Sequence, residues 1–266
     1  MDPWKKSLLG LLRRKSMYRT NLKLHRRALA GMGVGCYGPM EETGELRFLE
    51  NLLPQLPPNP VILDIGANRG AYAAAIMRLR PDAMLHAFEP HPRIYPALVA
   101  EAKRLGFAAH NLGCGAEAGL AQLFDAATGS GEGASRSQAV AAATMAAPEA
   151  HAIEVVALDP FLDTLGIDAV AYMKIDVEGY ELDVLRSIGR RIARNKLGCI
   201  SFEFNVMNLV TRVFLKDFIA ILPGWSFHRL LPDGLAAMGD YDPLSWELFG
   251  WQNIAAFPPG TSLRAI

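Results

Sequence analysis

Apolar and polar positions along most of the chain switch repeatedly between the short runs of buried strands and the spacing of amphipathic helices. The first alternation is a strand over residues 61–65, a glycine-rich turn and a helix over 71–79. Further strands are predicted over residues 84–88, 107–112, 120–124, 153–158, 170–175, 199–204, 225–230 and 253–257. Helices are predicted between them, including one over 41–53 and one over 210–222. This alternation predicts an α/β fold, with a mostly parallel sheet covered by helices on both faces.

The first 30 residues have a different pattern. An apolar series with steps of four and three, interrupted by Lys15 and His25, comprises Trp4, Leu8, Leu11, Tyr18, Leu22 and Leu29. This series predicts an amphipathic helix, and the glycine-rich stretch 31–39 after it predicts a linker. We therefore expect a helical extension and linker over residues 1–40 and one larger domain over 41–266.

The charge of the chain is balanced in total but uneven along its length. The 266 residues include 27 Lys and Arg and 27 Asp and Glu, which argues against a nucleic-acid partner held by overall charge. Residues 1–27, however, contain nine basic residues and one acid. Three interpretations of these 27 residues stay open. They pack on the domain with a solvated basic face, they contact an anionic membrane surface or an acidic protein, or they are a transit peptide.

Cysteine usage and hydropathy narrow the class of protein further. The three cysteines, Cys36, Cys114 and Cys199, are far apart and form no C-x-x-C pair, so neither a disulfide framework nor a metal site is expected. No apolar run reaches the length of a spanning helix, and no secretory signal is evident. We therefore expect a cytoplasmic protein.

The strongest chemical signal is the stretch DIGANRG at residues 64–70, directly after the first predicted strand. Gly66 and Gly70 allow a tight turn and a close approach of the backbone to a ligand, and ligands of open α/β sheets lie beyond such strand ends. Glu89 ends the next strand, where a carboxylate accepts hydrogen bonds from a ribose diol. Together these features predict a nucleoside-containing cofactor.

The residues of this loop distinguish between two cofactors. A dinucleotide loop reads G-x-G-x-x-G and lays a pyrophosphate on a helix N-terminus. This loop reads D-x-G-x-N-x-G instead, with Asp64 two residues before the first glycine. A carboxylate there opposes pyrophosphate but suits the ammonium and sulfonium groups of S-adenosylmethionine. S-adenosylmethionine is therefore the expected cofactor, and NAD fits poorly.

Three motifs in this order resemble the FkbM family of S-adenosylmethionine-dependent methyltransferases: DIGANRG (64–70), FEPHP (88–92) and MKIDVEGYE (173–181). Weaker matches are FEFN (202–205) and WQNI (251–254), and the resemblance covers residues 44–257. It implies a Rossmann-like class I methyltransferase whose seven-stranded sheet ends in an antiparallel strand. Members of the family typically methylate hydroxyls of sugars, polyketides and other natural products, so the expected partner is a small-molecule or carbohydrate hydroxyl acceptor.

The resemblance also indicates which residues bind the cofactor. The expected set is Asp64, Gly66, Ala67, Asn68 and Gly70 in the first turn, Glu89, Pro90 and His91 after the second strand, Gly113 near the adenine, and Asp176. The family's usual serine-rich loop reads GASR (133–136) here, and this departure concerns a loop of the expected active site.

A cluster of acids supplies the candidate catalytic residues. Lys174, Asp176 and Glu178 occupy alternate positions at a strand exit, so strand geometry places their side chains on one side. A structural interpretation pairs Lys174 with Asp176 and lets Glu178 cap the next helix. The functional interpretation places Asp176 beside the cofactor and lets Glu178 or Glu203 take the proton of an attacking hydroxyl, which Asn205 orients.

The expected function is therefore an O-methyltransferase with Asp176, Glu178 and Glu203 as catalytic candidates. Enzymes that methylate amines of nucleic acids tend to carry an Asn/Asp-Pro-Pro-aromatic loop where this chain reads IDVEG, which favours an oxygen acceptor. Two alternatives stay open. One is a nicotinamide- or nucleotide-sugar-binding Rossmann enzyme, and the other is a catalytically idle scaffold that acts through its basic N-terminal helix.

Overall fold

The computed structural model describes residues 9–126, 134–145 and 148–261. The strands within these residues are β1 (Val61–Ile65), β2 (Met84–Phe88), β3 (Ala108–His110), β4 (Gly113–Cys114), β5 (Gly119–Ala126), β6 (Pro148–Val156), β7 (Val170–Ile175), β8 (Leu197–Phe204), β9 (Ser226–Leu231), β10 (Gly234–Ala237) and β11 (Gln252–Phe257). The first six α-helices with described bounds are α1 (Tyr18–Gly31), α2 (Met40–Thr43), α3 (Glu45–Leu52), α4 (Ala71–Leu79), α5 (Tyr95–Leu105) and α6 (Gln138–Thr144). The later ones are α7 (Leu158–Thr164), α8 (Glu181–Ser187), α9 (Gly189–Ala193), α10 (Val206–Thr211), α11 (Leu215–Ile221) and α12 (Pro243–Trp246).

The main sheet contains eight strands in the order β10-β9-β11-β8-β7-β1-β2-β3. The strands from β3 to β8 in this order are parallel, whereas β11 runs antiparallel to β8 and β9. The expected α/β class with its antiparallel last strand is thus confirmed. The sheet has eight strands rather than the expected seven because the chain turns back after β9 and adds β10 as an edge strand. A separate small sheet has the order β4-β6-β5.

Two apolar cores lie on opposite faces of the main sheet. Alternate residues of β1 and β7 divide between them, with Ile62 and Tyr172 in one core and Leu63 and Met173 in the other. Helices α3, α4 and α5 contribute to the first core, and α7, α8, α9 and α11 contribute to the second. Helices therefore cover both faces, as the sequence predicts, and only the strand ends are left open to a ligand.

Two helices predicted as continuous are each divided by a residue with positive φ. The helix predicted over 41–53 separates into α2 and α3 at Gly44, whose φ is 85° and where a Cβ would meet the backbone of Leu231 at 2.5 Å. The helix predicted over 210–222 separates into α10 and α11 at Arg212, whose φ is 60°. The first break results from close contact with β9, a strand far away in the chain.

The predicted N-terminal helix is present within the described residues as α1. Trp4 and Leu8 of its apolar series lie outside those residues. None of the α1 residues is buried, and the side chain of Tyr18 is 69% exposed. No helix in the described ranges is both long enough and apolar enough to cross a bilayer.

The segment after α1 ties it to the larger domain. Val34 is buried, and the Gly35 amide donates a hydrogen bond of 2.8 Å to the carbonyl of Trp251. These contacts precede residue 40, where the sequence analysis places the domain boundary. The boundary itself stays a prediction.

Candidate active site

A cleft of about 220 Å³ opens at the carboxyl ends of β1, β2, β7 and β8. This edge is where open α/β sheets bind their ligands. Eight of the residues predicted for the site line it: Gly66, Asn68, Glu89, Pro90, Gly113, Asp176, Glu178 and Glu203. The lining does not include Asp64, Ala67, Gly70 and His91, which lie behind it or in the turn.

The turn after β1 is held between the exits of two neighbouring strands. Gly66 has a φ of 84°, and a Cβ there would lie 1.8 Å from the carbonyl oxygen of Asp176. The amides of Gly66 and Ala67 donate hydrogen bonds of 3.0 and 2.9 Å to the carbonyl of Phe88. Gly70 has a φ of 89° and leads into α4. Glycine at position 66 is thus required for the close approach of β1 to the loop after β7.

Glu89 is a buried carboxylate that the backbone holds in place at the cleft. Its two oxygens accept hydrogen bonds from the amides of Asn68, at 2.9 Å, and His91, at 2.7 Å. Burial raises the pKa of Glu89 to about 7, although these two hydrogen bonds lower it. Each carboxylate oxygen keeps a further lone pair, so Glu89 can accept hydrogen bonds from ligand hydroxyls.

The His91 side chain lies behind the cleft, although the sequence analysis places it among the cofactor contacts. Its Nε2 is 3.2 Å from a carboxylate oxygen of Asp125, and its Nδ1 accepts a hydrogen bond from the Arg93 amide at 3.1 Å. Both ring nitrogens therefore face partners inside the protein. His91 supports the site through its backbone amide, which orients Glu89.

Asp64 lies below the turn and beside a buried lysine. It is only 2% exposed, and its Oδ2 has no hydrogen-bond partner among the described residues. Burial raises the pKa of Asp64 to about 7, and the charge of Lys174 on the neighbouring strand lowers it. The Lys174 Nζ lies 3.0 Å from Glu45 and 3.5 Å from Asp176. The Lys174–Asp176 ion pair of the structural interpretation is therefore confirmed, with Glu45 as an additional partner.

Asp176 and Glu178 follow β7 rather than belonging to it, because the strand ends at Ile175. Glu178 has a φ of 53°, a backbone conformation that costs about 1–3 kcal/mol for a residue other than glycine and often occurs at functional sites. Glu178 does not cap the next helix. The N-cap position is Tyr180, which makes no side-chain cap bond, and the carboxylate of Glu181 instead accepts a hydrogen bond of 2.9 Å from the amide of Gly179 in the preceding loop.

Asn205 joins the two candidate bases. Its side-chain amide donates a hydrogen bond to Glu203 and lies 3.5 Å from the Oε2 of Glu178, while its oxygen accepts one from the amide of Met207 at 2.7 Å. Both side-chain N–H groups of Asn205 are thus directed at carboxylates of the protein, while its oxygen keeps one lone pair, and the expectation that Asn205 orients the acceptor hydroxyl stays a prediction. Burial and the charges of Asp176 and its neighbours raise the pKa of Glu178 to about 8 and that of Glu203 well above its ordinary value.

Several residues that line the cleft are not among the predicted site residues. Tyr37 comes from the stretch predicted as a linker, and Arg136 comes from the loop that departs from the family pattern. The Arg136 guanidinium lies 4.7 Å from the ring centre of Tyr180, and the Ser135 hydroxyl donates a hydrogen bond of 2.8 Å to the carbonyl of Glu178. The sequence feature that could have indicated a role for Tyr37 in the cleft is an aromatic residue within a glycine-rich stretch. Gly133 of that loop lies outside the described residues.

The cleft suits S-adenosylmethionine. Glu89 presents two positioned acceptor oxygens for ribose hydroxyls, and the carboxylate of Asp176 lies on the same lining, where its negative charge complements a cationic ligand. Apolar residues such as Leu112 on the same lining can contact a base. In the described part of the chain, no group of three or more His, Cys, Asp or Glu is arranged to hold a metal ion.

Comparison with known proteins identifies the family of the chain. The family profile described as the methyltransferase FkbM domain matches residues 64–220, more than half of the chain. The 2-O-methyltransferase NoeI of Sinorhizobium fredii is 44% identical over 57 residues, which are 21% of this chain and 24% of that protein. The aligned region thus spans about a quarter of this relative.

Two solved structures show partial similarity to the chain. The precorrin-6y C5,15-methyltransferase of Geobacter metallireducens has a TM-score of 0.42 and 12% identity, over 80% of this chain and 86% of that one. The O-methyltransferase TomG of Streptomyces achromogenes, solved with S-adenosylmethionine, has a TM-score of 0.43 and 13% identity, over 80% of this chain and 79% of that one. On the strength of the family profile, the chain belongs to the FkbM family of S-adenosylmethionine-dependent methyltransferases.

Proposed function

We propose that the protein transfers a methyl group from S-adenosylmethionine to a hydroxyl of a sugar, a glycan or another small natural product. The observation that carries this proposal is the pair Glu178 and Glu203, joined by Asn205 in the same cleft as Glu89. An alcohol must lose its proton as the new oxygen–carbon bond forms, so it needs a nearby base. The match to a 2-O-methyltransferase supports an oxygen acceptor.

In this proposal Glu178 takes the proton of the acceptor hydroxyl. Its pKa of about 8 leaves a fraction of Glu178 ionised near neutral pH and most of it ionised above about pH 8, while burial and the charges of Asp176 and Glu178 raise the pKa of Glu203 well above its ordinary value. The Asn205 amide fixes the orientation of both carboxyl groups. When bound, S-adenosylmethionine supplies a methyl group on a sulfonium, which is a good leaving group. The protein therefore contributes mainly by aligning the acceptor, excluding water and removing one proton.

The test is a methyl-transfer assay with S-adenosylmethionine labelled in its methyl group and a panel of methyl glycosides. The proposal predicts label in an ether that survives alkaline hydrolysis. It also predicts loss of labelling when the reactive hydroxyl is removed from the acceptor, as in a deoxy analogue. Label in an alkali-labile ester or in an amine from a matched amino acceptor would overturn the hydroxyl assignment. Reduction of an acceptor by NADH would favour the nicotinamide alternative.

A further inference from the structure

Residues 9–31, which we call the basic segment, leave several of their apolar side chains exposed. No residue of α1 is buried. Leu11 is 46% exposed, Leu22 38% and Leu24 52%. An amphipathic helix that stabilises its own domain buries its apolar stripe in the core. The basic segment does not, so its apolar side chains are available to a partner.

The basic segment also carries charge of one sign only. It contains no Asp or Glu, and its basic residues are Arg13, Arg14, Lys15, Arg19, Lys23, Arg26 and Arg27. Helical geometry places Tyr18 and Leu22 together on one face, and Arg19, Lys23 and Arg26 together on an adjacent face. Apolar and basic faces side by side are typical of helices that lie in the interface of a membrane with anionic lipids.

We propose that the basic segment docks the protein on a membrane surface that contains anionic lipids. The basic side chains contact lipid headgroups, and Tyr18 and Leu22 enter the boundary between headgroups and acyl chains. A nucleic acid would also neutralise the cations, but its phosphate backbone offers no apolar surface to Tyr18 and Leu22. The membrane accounts for both faces of the segment.

The basic segment lies close to the cleft along the chain. Tyr37, which lines the cleft, is six positions after Gly31 at the end of α1, and an extended chain of six residue steps spans at most about 22 Å. The hydrogen bond from Gly35 to Trp251 fixes this connection to the domain. A docked segment therefore holds the mouth of the cleft near the lipid headgroups. Access of membrane-held acceptors to the cleft rests on the proposed function, whereas the docking itself does not.

The test is co-sedimentation of the full chain with vesicles of neutral phosphatidylcholine, with and without about 30% phosphatidylglycerol. We expect binding to the anionic vesicles that falls at least about tenfold on neutral vesicles or in about 0.5 M salt. The triple variant Arg19→Gln, Lys23→Gln and Arg26→Gln should bind about a hundredfold more weakly. The double variant Tyr18→Ser and Leu22→Ser should bind about tenfold more weakly to vesicles.

The matched control is the triple variant Arg78→Gln, Lys103→Gln and Arg194→Gln, which removes the same charge from exposed positions elsewhere. It should bind like the unaltered protein. All variants should keep the same thermal unfolding midpoint, because none of the altered side chains is buried. Three results would overturn the proposal: no vesicle binding, equal binding to neutral and anionic vesicles, or equal loss in the control variant. Binding to a single-stranded oligonucleotide that exceeds vesicle binding would also overturn it, in favour of a nucleic-acid partner.

Discussion

The dependence of methyl transfer on pH is expected to reside in Glu178. Its pKa of about 8 leaves about one tenth of the carboxyl groups ionised at about pH 7 and about nine tenths at about pH 9. If Glu178 takes the hydroxyl proton, the rate of the chemical step should rise about tenfold over that interval and then level off. Substitution Glu178→Gln keeps the shape and removes the base, so the rate should fall about 10²–10⁴-fold and lose its dependence on pH.

Single-turnover rates with saturating acceptor and cofactor measure this step directly, because product release does not contribute. Glu154→Gln is the matched control, since it alters an exposed glutamate on β6 that lies away from the cleft lining. This control should retain both the rate and the rise with pH. A pH-independent rate in the unaltered protein, or a rise that persists in the Glu178→Gln variant, would refute the assignment of the base.

Three further predictions follow from the geometry of the site and the burial of its acids. Gly66→Ala should lower the free energy of unfolding by about 3 kcal/mol or more, because its Cβ would clash with the carbonyl of Asp176. Gly106→Ala, at a φ of 82° with open space around it, should cost only about 1 kcal/mol in the same urea titration, and equal losses would contradict the clash. Asn205→Ser keeps a side-chain oxygen that can cap α10 but removes the amide whose hydrogen bond lowers the pKa of Glu178. The midpoint of the rate profile should therefore move above pH 8. Without ligand, the free energy of unfolding should fall as pH rises from about 7.5 to about 9. Glu178 binds its proton more tightly when folded, and the histidines whose pKa is lowered by folding are almost entirely neutral in both states above about pH 7.5. A rise in urea-unfolding stability over this range would contradict the prediction.

Local patterns of the sequence were sufficient to predict the elements that form the centre of the sheet. Strands β1, β2 and β7 and helix α4 have the predicted bounds, because each is an apolar run or amphipathic stretch bounded by glycine, proline or charged residues. The breaks at Gly44 and Arg212 could not be predicted in this way. The first depends on the backbone of Leu231, which comes close only after β9 joins the sheet.

The cofactor side of the site was easier to predict than the acceptor side. Gly66 and Glu89 belong to short motifs whose spacing reflects one strand–turn–helix–strand unit. The Lys174–Glu45 ion pair and the position of Tyr37 join parts of the chain that are distant in sequence. The role of Asn205 depends on two carboxylates from different loops, so only the folded structure reveals it.

The central claim is that the cleft binds S-adenosylmethionine with Glu89 at its ribose, and calorimetric titration with S-adenosylhomocysteine tests it most directly. We predict saturable binding of one ligand per chain to the unaltered protein. Binding should be about 10–100-fold weaker in Glu89→Gln, because that variant loses charge-assisted hydrogen bonds to the ribose hydroxyls. No heat of binding, equal affinity in Glu89→Gln, or displacement of the ligand by NADH would contradict the account.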